Sequence, residues 1–198
     1  MIRWFCALVA LSACSVDVGI NKAAMLKTNV RVKQDDAIHV PYVYDAAPGV
    51  PVCKEVNLFL SFDCHFCKES LQALADYLKK KPVVRAKLYF FTQEEEDKEK
   101  IHYLLAADGD LELISHMCQI LLYERDGVKS KKFSQFLKEH AKVQENYQKN
   151  RAIYAIYRAA MQKKFFKARV DKTPTWVINE IVMIEGPVDD LAEVMATV

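Results

Sequence analysis

Two cysteines with two residues between them, Cys64-His65-Phe66-Cys67, carry the reactive chemistry of this sequence. A thiolate is a nucleophile and a leaving group, and two thiols at this spacing can close into a disulfide or open to attack another one. Cys64 comes first and is the expected nucleophile, with Cys67, one helical turn on, as the resolving thiol. Zinc is the alternative use of such a pair, but it usually takes four Cys or His ligands with a second close pair. The sequence has no second pair of that spacing.

The elements around the motif explain how it would be positioned. Residues 56–62 form an apolar run rich in aromatic and branched side chains, Val56, Leu58, Phe59, Leu60 and Phe62 among them. The run is too short for a buried helix and reads as a strand covered on both faces. After the cysteines, Leu71, Leu74, Ala75 and Leu78 recur with the spacing of one helix face. The dithiol therefore sits where a central strand turns into a helix N-terminus. Unpaired N–H groups and a partial positive charge stabilise a thiolate there.

The helix alone is not enough. A thiol mostly ionised at neutral pH needs its pKa lowered from about 8.5 by about two units, or about 2.7 kcal/mol. A helix terminus contributes about 0.3 to 1 kcal/mol. Another donor is required, and His65 is the adjacent candidate, while Asp63 opposes it.

The chain has 198 residues, 52% of them hydrophobic and 27% charged, which suits a globular domain with an insertion. A net charge of +2 without a basic stripe gives no sign of nucleic acid as a partner. At the N-terminus, Arg3 precedes an apolar run over residues 4–13, too short to span a bilayer but suited to a signal peptide. Leu11-Ser12-Ala13-Cys14 resembles a bacterial lipobox. That resemblance implies cleavage before Cys14, a lipid on its sulfur and a tether to a membrane facing the periplasm. Residues 1–13 are then signal and 14–36 tether. In an exported chain Cys53 and Cys118 form a structural bridge or remain two separately buried thiols.

Residues 37–44 alternate like a half-exposed strand, and Pro41 puts it at a sheet edge. Residues 83–92 read as a strand parallel to the one at 56–62, reached by a right-handed crossover through the motif helix. Thr92, with Glu95 three residues on, reads as the N-cap of a helix carrying Ile101, Leu104 and Leu105. Helices follow over residues 111–123, 133–141 and 143–168. In the last of these Ile153, Ile156, Tyr157, Ala160, Met161 and Phe165 form one apolar stripe, with Arg151, Arg158, Lys163, Lys164 and Lys167 on other faces, which read as a solvated surface before one that binds anionic lipid or a partner. His102, His116 and His140 lie singly on helices and read as packed or solvated. Residues 175–178 and 181–184 flank Asn179-Glu180 as a hairpin. A last helix begins in 185–190, with Pro187 in its first turn.

In that order, Phe62-Asp63-Cys64-His65-Phe66-Cys67 and Lys172-Thr173-Pro174-Thr175 resemble the DsbA-like thiol-disulfide oxidoreductases, which have a thioredoxin fold with a helical insertion. The resemblance covers most of the mature chain. It implies an α/β domain from residues 37–92 and 169–198, interrupted by a helical insertion at 93–168. It implies a cis bond at Thr173-Pro174, with both residues binding substrate beside the dithiol, and no metal or organic cofactor. The expected substrates are exported proteins, oxidised and then released, with a DsbB-like membrane partner taking the electrons. A DsbD-like donor would replace that partner in a reductase or isomerase, and Thr before the proline is seen in such members. Two positions depart from the pattern. His65 stands one place earlier than the usual histidine, and Leu58 occupies the place of a buried acid six residues before the first cysteine. A thioredoxin-fold binding or chaperone module without redox chemistry is the alternative of another class.

Overall fold

The computed structural model describes residues 26–27, 43–45, 51–81, 84–92, 94–124 and 126–198. Its centre is β3 (Lys54–Ser61), whose residues Val56 to Leu60 are all buried. Strand β4 (Val84–Phe91) runs parallel to it, in register from Lys54↔Val84 to Ser61↔Phe91, after a crossover through α1 (His65–Lys80). On the other side β5 (Thr175–Ile178) lies antiparallel, followed by β6 (Val182–Glu185). The edges are β1 (Leu26–Lys27), against β6, and β2 (Val43–Asp45), against β4, giving the order β1-β6-β5-β3-β4-β2. This is a thioredoxin-like sheet with a helical insertion between β4 and β5.

The apolar spacing read from α1 is its buried face: Leu71, Leu74, Ala75 and Leu78, joined by Cys67 and Ser70. Lys79 and Lys80 close the helix, where cations favour its C-terminal partial charge. The insertion consists of α2 (Glu95–Ala106), α3 (Leu111–Tyr123), a short 3-10 turn (Gly127–Lys129), α4 (Lys131–Glu139) and α5 (Ala141–Ala168). Asp110 caps α3 by accepting from the N–H of Glu112 and Leu113, and Ser130 caps α4 by accepting from Phe133. Helix α5 joins the insertion to the sheet. The Phe165 ring meets Phe59 edge-on at 5.0 Å, and Phe59 stacks on Tyr89 at 4.8 Å. A last helix, α6 (Leu191–Thr197), buries Leu191 and Met195. Among the described residues no helix is long and apolar enough to cross a membrane.

Several expectations change. The stripe on α5 is Val143, Tyr147, Tyr154, Met161, Phe165 and Ala168, whereas Ile153 and Ile156 face outwards. The buried residues keep a seven-residue step from Tyr147 to Ala168, and the two isoleucines lie off that line by one and two residues. Thr92 is not an N-cap. Helix α2 starts at Glu95 with Glu94 as the cap, and the Thr92 hydroxyl accepts from the Glu94 N–H at 3.0 Å and donates to Asp97 Oδ2 at 3.3 Å. A hydroxyl reaching two residues along closes a local turn ahead of the helix instead. Pro187 precedes α6 rather than entering it, because Asp190 takes the capping place and accepts from Glu193 at 3.0 Å. The segment expected as a tether contributes β1, a two-residue pairing made by backbone groups and so without a side-chain signature. The edge position of the second strand is as expected, with residues 37–42 outside the described residues.

The hairpin turn works without glycine. Asn179 and Glu180 both have positive φ, 51° and 58°, as a type I′ turn requires. Asn179 is held in place from both ends: its N–H donates to Glu55 O at 2.8 Å and its Oδ1 accepts from the Glu55 N–H at 2.9 Å. Asn179→Ala is expected to destabilise the fold by about 1–3 kcal/mol, from an unpaired part-buried N–H and a side chain poorly suited to this region. Urea denaturation should show a lower midpoint at unchanged slope.

Candidate active site

The dithiol is built by the end of β3 and the start of α1. Phe62 and Asp63 turn the chain, and Cys64 is the N-cap of α1 in extended conformation, with Cys67 N–H donating to Cys64 O at 3.2 Å. Both cysteines are free thiols, and they differ sharply in exposure. Cys67 is 3% exposed and its sulfur accepts from the Ser61 N–H at 3.4 Å, whereas Cys64 is half-buried.

The segment before β5 meets them. Cys64 Sγ donates to Thr173 O at 3.0 Å, a contact spanning 109 residues of chain. The Thr173-Pro174 peptide bond is cis, and Pro174 O is already occupied by the Gly186 N–H at 2.7 Å. The structure thus brings together Cys64, Cys67, Thr173 and the Thr173-Pro174 bond. His65 is exposed at the first position of α1, its ring 5.6 Å from that of Phe66, which is itself 48% exposed. Cys14 lies outside the described residues.

Six residues before Cys64, where the resemblance would place a buried acid, the sheet is apolar. Leu58 is fully buried, in register with Leu88 on β4 and Trp176 on β5. Burial pushes the Cys67 thiol well above its ordinary value, and the neighbouring Cys64 sulfur adds to the effect. A partly buried ion pair of the sheet, Lys87 to Glu55 at 2.8 Å, stands near the opposite end of β3. About 3.3 Å per residue separates Glu55 from Ser61 along that strand, too far to relay a proton to the dithiol.

Sequence reading missed the group that steadies the turn. Lys100 on α2 places its ammonium 5.3 Å from the centre of the Phe62 ring and pairs with Asp97, which is buried and accepts the Thr92 hydroxyl. The only hint in the sequence is the Asp97 and Lys100 pair three residues apart, a spacing that brings side chains together on a helix.

Cys118 is a free thiol buried in α3, so the Cys53–Cys118 bridge is not made. Burial pushes Cys118 up to about 12. Two outcomes follow for the described thiols. Iodoacetamide at neutral pH should label Cys64 and leave Cys67 and Cys118 unmodified in the native reduced protein, read by peptide mass. Above about pH 9 the unfolded chain loses the Cys118 proton that the folded chain retains, so stability falls with rising pH until about pH 12. Cys118→Val should remove one proton's share of that slope, about 1.4 kcal/mol per pH unit.

No protein-family model matches this sequence, and no curated protein does. Solved structures do match. Reduced DsbA1 from Neisseria meningitidis superposes with a TM-score of 0.63 at 16% identity, over 91% of this chain and 92% of that one. The thiol-disulfide exchange protein alpha-DsbA2 from Wolbachia pipientis gives 0.58 at 12% identity, over 74% and 80%. Pseudomonas aeruginosa DsbA2 gives 0.56 at 15% identity, over 79% and 92%. The likeness is one of fold, a thioredoxin-like sheet carrying a helical insertion.

Proposed function

We propose that this chain is a membrane-tethered periplasmic thiol-disulfide oxidoreductase that oxidises dithiols in exported proteins. The observation that carries the reading is the unlike pair of sulfurs. Cys64 is half-buried at a helix N-terminus and bonded to Thr173 O at 3.0 Å, while Cys67 is sealed one turn inside. A dithiol of this kind offers one sulfur to substrate and keeps the other for ring closure.

In the oxidised enzyme a substrate thiolate attacks Cys64 Sγ. A mixed disulfide forms, the Cys64–Cys67 bond breaks, and Cys67 leaves with the electron pair. Its surroundings favour the thiol, so it takes up a proton. With Leu58 where an acid would stand, that proton comes from solvent or substrate. The second substrate thiolate then attacks the substrate sulfur of the mixed disulfide and expels Cys64 as thiolate, which the N-terminus of α1 stabilises, with His65, the next residue in the chain, as the side chain expected to assist. Two electrons move from the substrate dithiol to the Cys64/Cys67 pair. In the disulfide state Cys64 has no S–H, so Thr173 O is open to accept an N–H from an extended substrate, with Pro174 beside it as an added-strand site. A DsbB-like membrane partner takes the electrons, and a lipid on Cys14 keeps the enzyme beside it.

The deciding experiment is the reduction potential of the Cys64/Cys67 couple, equilibrated against glutathione. A potential of about −120 to −180 mV supports the oxidising reading, and one near about −270 mV replaces it with a reductase fed by a DsbD-like donor. No exchangeable disulfide would leave a binding or chaperone module. His65→Ala should make the potential more negative by about 30 mV for each 1.4 kcal/mol of thiolate stabilisation removed. Cys14→Ala should abolish fatty-acid labelling.

A further inference from the structure

Helix α5 is apolar on two sides, and one of them is largely exposed in the described structure. Ile153 is 47% exposed, Ile156 68% and Phe166 74%, half of the six large hydrophobic side chains that the described residues expose. Lys142, Lys149, Lys163 and Lys167 are exposed on the same helix. Read as Lys142, Lys149, Ile153, Ile156, Lys163 and Lys167, the steps are seven, four, three, seven and four residues. At about 100° per residue that spacing puts all six within about 80° of one another, on a face turned away from the buried line through Tyr147, Tyr154, Met161 and Ala168, with Phe166 beside it. At about 1.5 Å per residue the face is about 37 Å long.

We propose that this face of α5 docks on an anionic lipid surface. The helix carries seven cations against a single carboxylate, Glu145, while the whole chain carries only +2. The remainder of the molecule is therefore net acidic, and a negatively charged bilayer turns α5 towards itself. Interleaved Lys with Ile and Phe is the chemistry of an interfacial helix: the apolar side chains enter the headgroup boundary while the ammoniums stay with the phosphates. A second copy of the chain fits poorly, because the lysines would face their own kind across a two-fold axis. The apolar run at residues 4–13 and the lipobox-like Cys14 point to the same environment by a separate argument from sequence.

The docked orientation has a consequence for the dithiol. Phe166 meets the Phe91 ring at 6.3 Å at the end of β4, and Gln162 donates to Thr92 O at 2.9 Å. The C-terminal part of α5 thus lies at the end of the sheet from which the dithiol turn departs. Lipid contact through Lys163, Phe166 and Lys167 holds that end near the membrane surface.

The test is co-sedimentation of the full chain with vesicles of phosphatidylcholine alone and of phosphatidylcholine mixed with phosphatidylglycerol. Any anchor at the N-terminus, apolar run or lipid, would contribute to binding of both, so the difference between them reads the basic face. About tenfold or more stronger binding to the anionic vesicles is expected, weakening as salt is raised. Lys149→Glu, Lys163→Glu and Lys167→Glu together should abolish the preference, and the same three changed to Gln should reduce it. Ile156→Ser with Phe166→Ser should weaken anionic binding severalfold while thermal unfolding stays as in the parent. Equal binding to both vesicles, or a preference that survives the triple substitutions, would overturn the proposal. So would a lipid-free dimer in sedimentation equilibrium that the same substitutions dissociate.

Discussion

Cys64→Ser is expected to reduce oxidation of a dithiol peptide by at least about 10³-fold, to the uncatalysed background. Serine cannot form the mixed disulfide, and Cys67, 3% exposed beneath the turn, cannot be reached by a substrate thiolate. Cys67→Ser should behave differently. It leaves Cys64 able to bond to substrate but removes the sulfur that would release a stalled complex, so a covalent enzyme-substrate adduct should accumulate on non-reducing gels. If Cys64→Ser keeps its rate, or if the adduct in Cys67→Ser forms elsewhere than at Cys64, the assignment of nucleophile and resolving thiol is wrong. Thermal unfolding of both reduced variants should stay close to that of the reduced parent, since serine and cysteine differ little in volume.

The largest effect on stability should come from Phe59→Ala. Phe59 is fully buried in the central strand, stacked on Tyr89 of β4 and met edge-on by Phe165 of α5. Removing the ring opens a cavity where the sheet and the insertion are joined, and changes of this kind cost about 3–5 kcal/mol. For a chain of this size each kcal/mol lowers Tm by about 2–4 °C, so a fall of about 10 °C is expected. A cycle with Phe165→Ala should return a coupling of about 0.5–1.5 kcal/mol, the worth of an aromatic pair beyond its buried area. A loss below 1 kcal/mol on Phe59→Ala would mean that α5 is not held to the sheet at this point.

Local pattern was enough for much of the fold. The branched and aromatic run ending at Phe62, the helix face of Leu71, Leu74, Ala75 and Leu78, and helix α3 follow from spacing within a few residues. The same holds for the dithiol at a strand-to-helix junction, because Cys64 and Cys67 are neighbours in the chain. Helix α5 was less legible because it is apolar on two sides, and periodicity cannot say which side a sheet will cover.

What the tertiary structure decided are the contacts between distant segments. Thr173 O meets Cys64 across 109 residues, and Lys100 reaches over Phe62 from the insertion. Cys118 is sealed as a free thiol in α3 rather than bridged to Cys53. Leu26–Lys27 joins the sheet through backbone pairing that any side chain would allow. Spacing along the chain determines which face of an element is apolar and where a reactive pair begins. Which partner a face or a sulfur finds depends on how the elements pack, and that is settled only when the chain closes on itself.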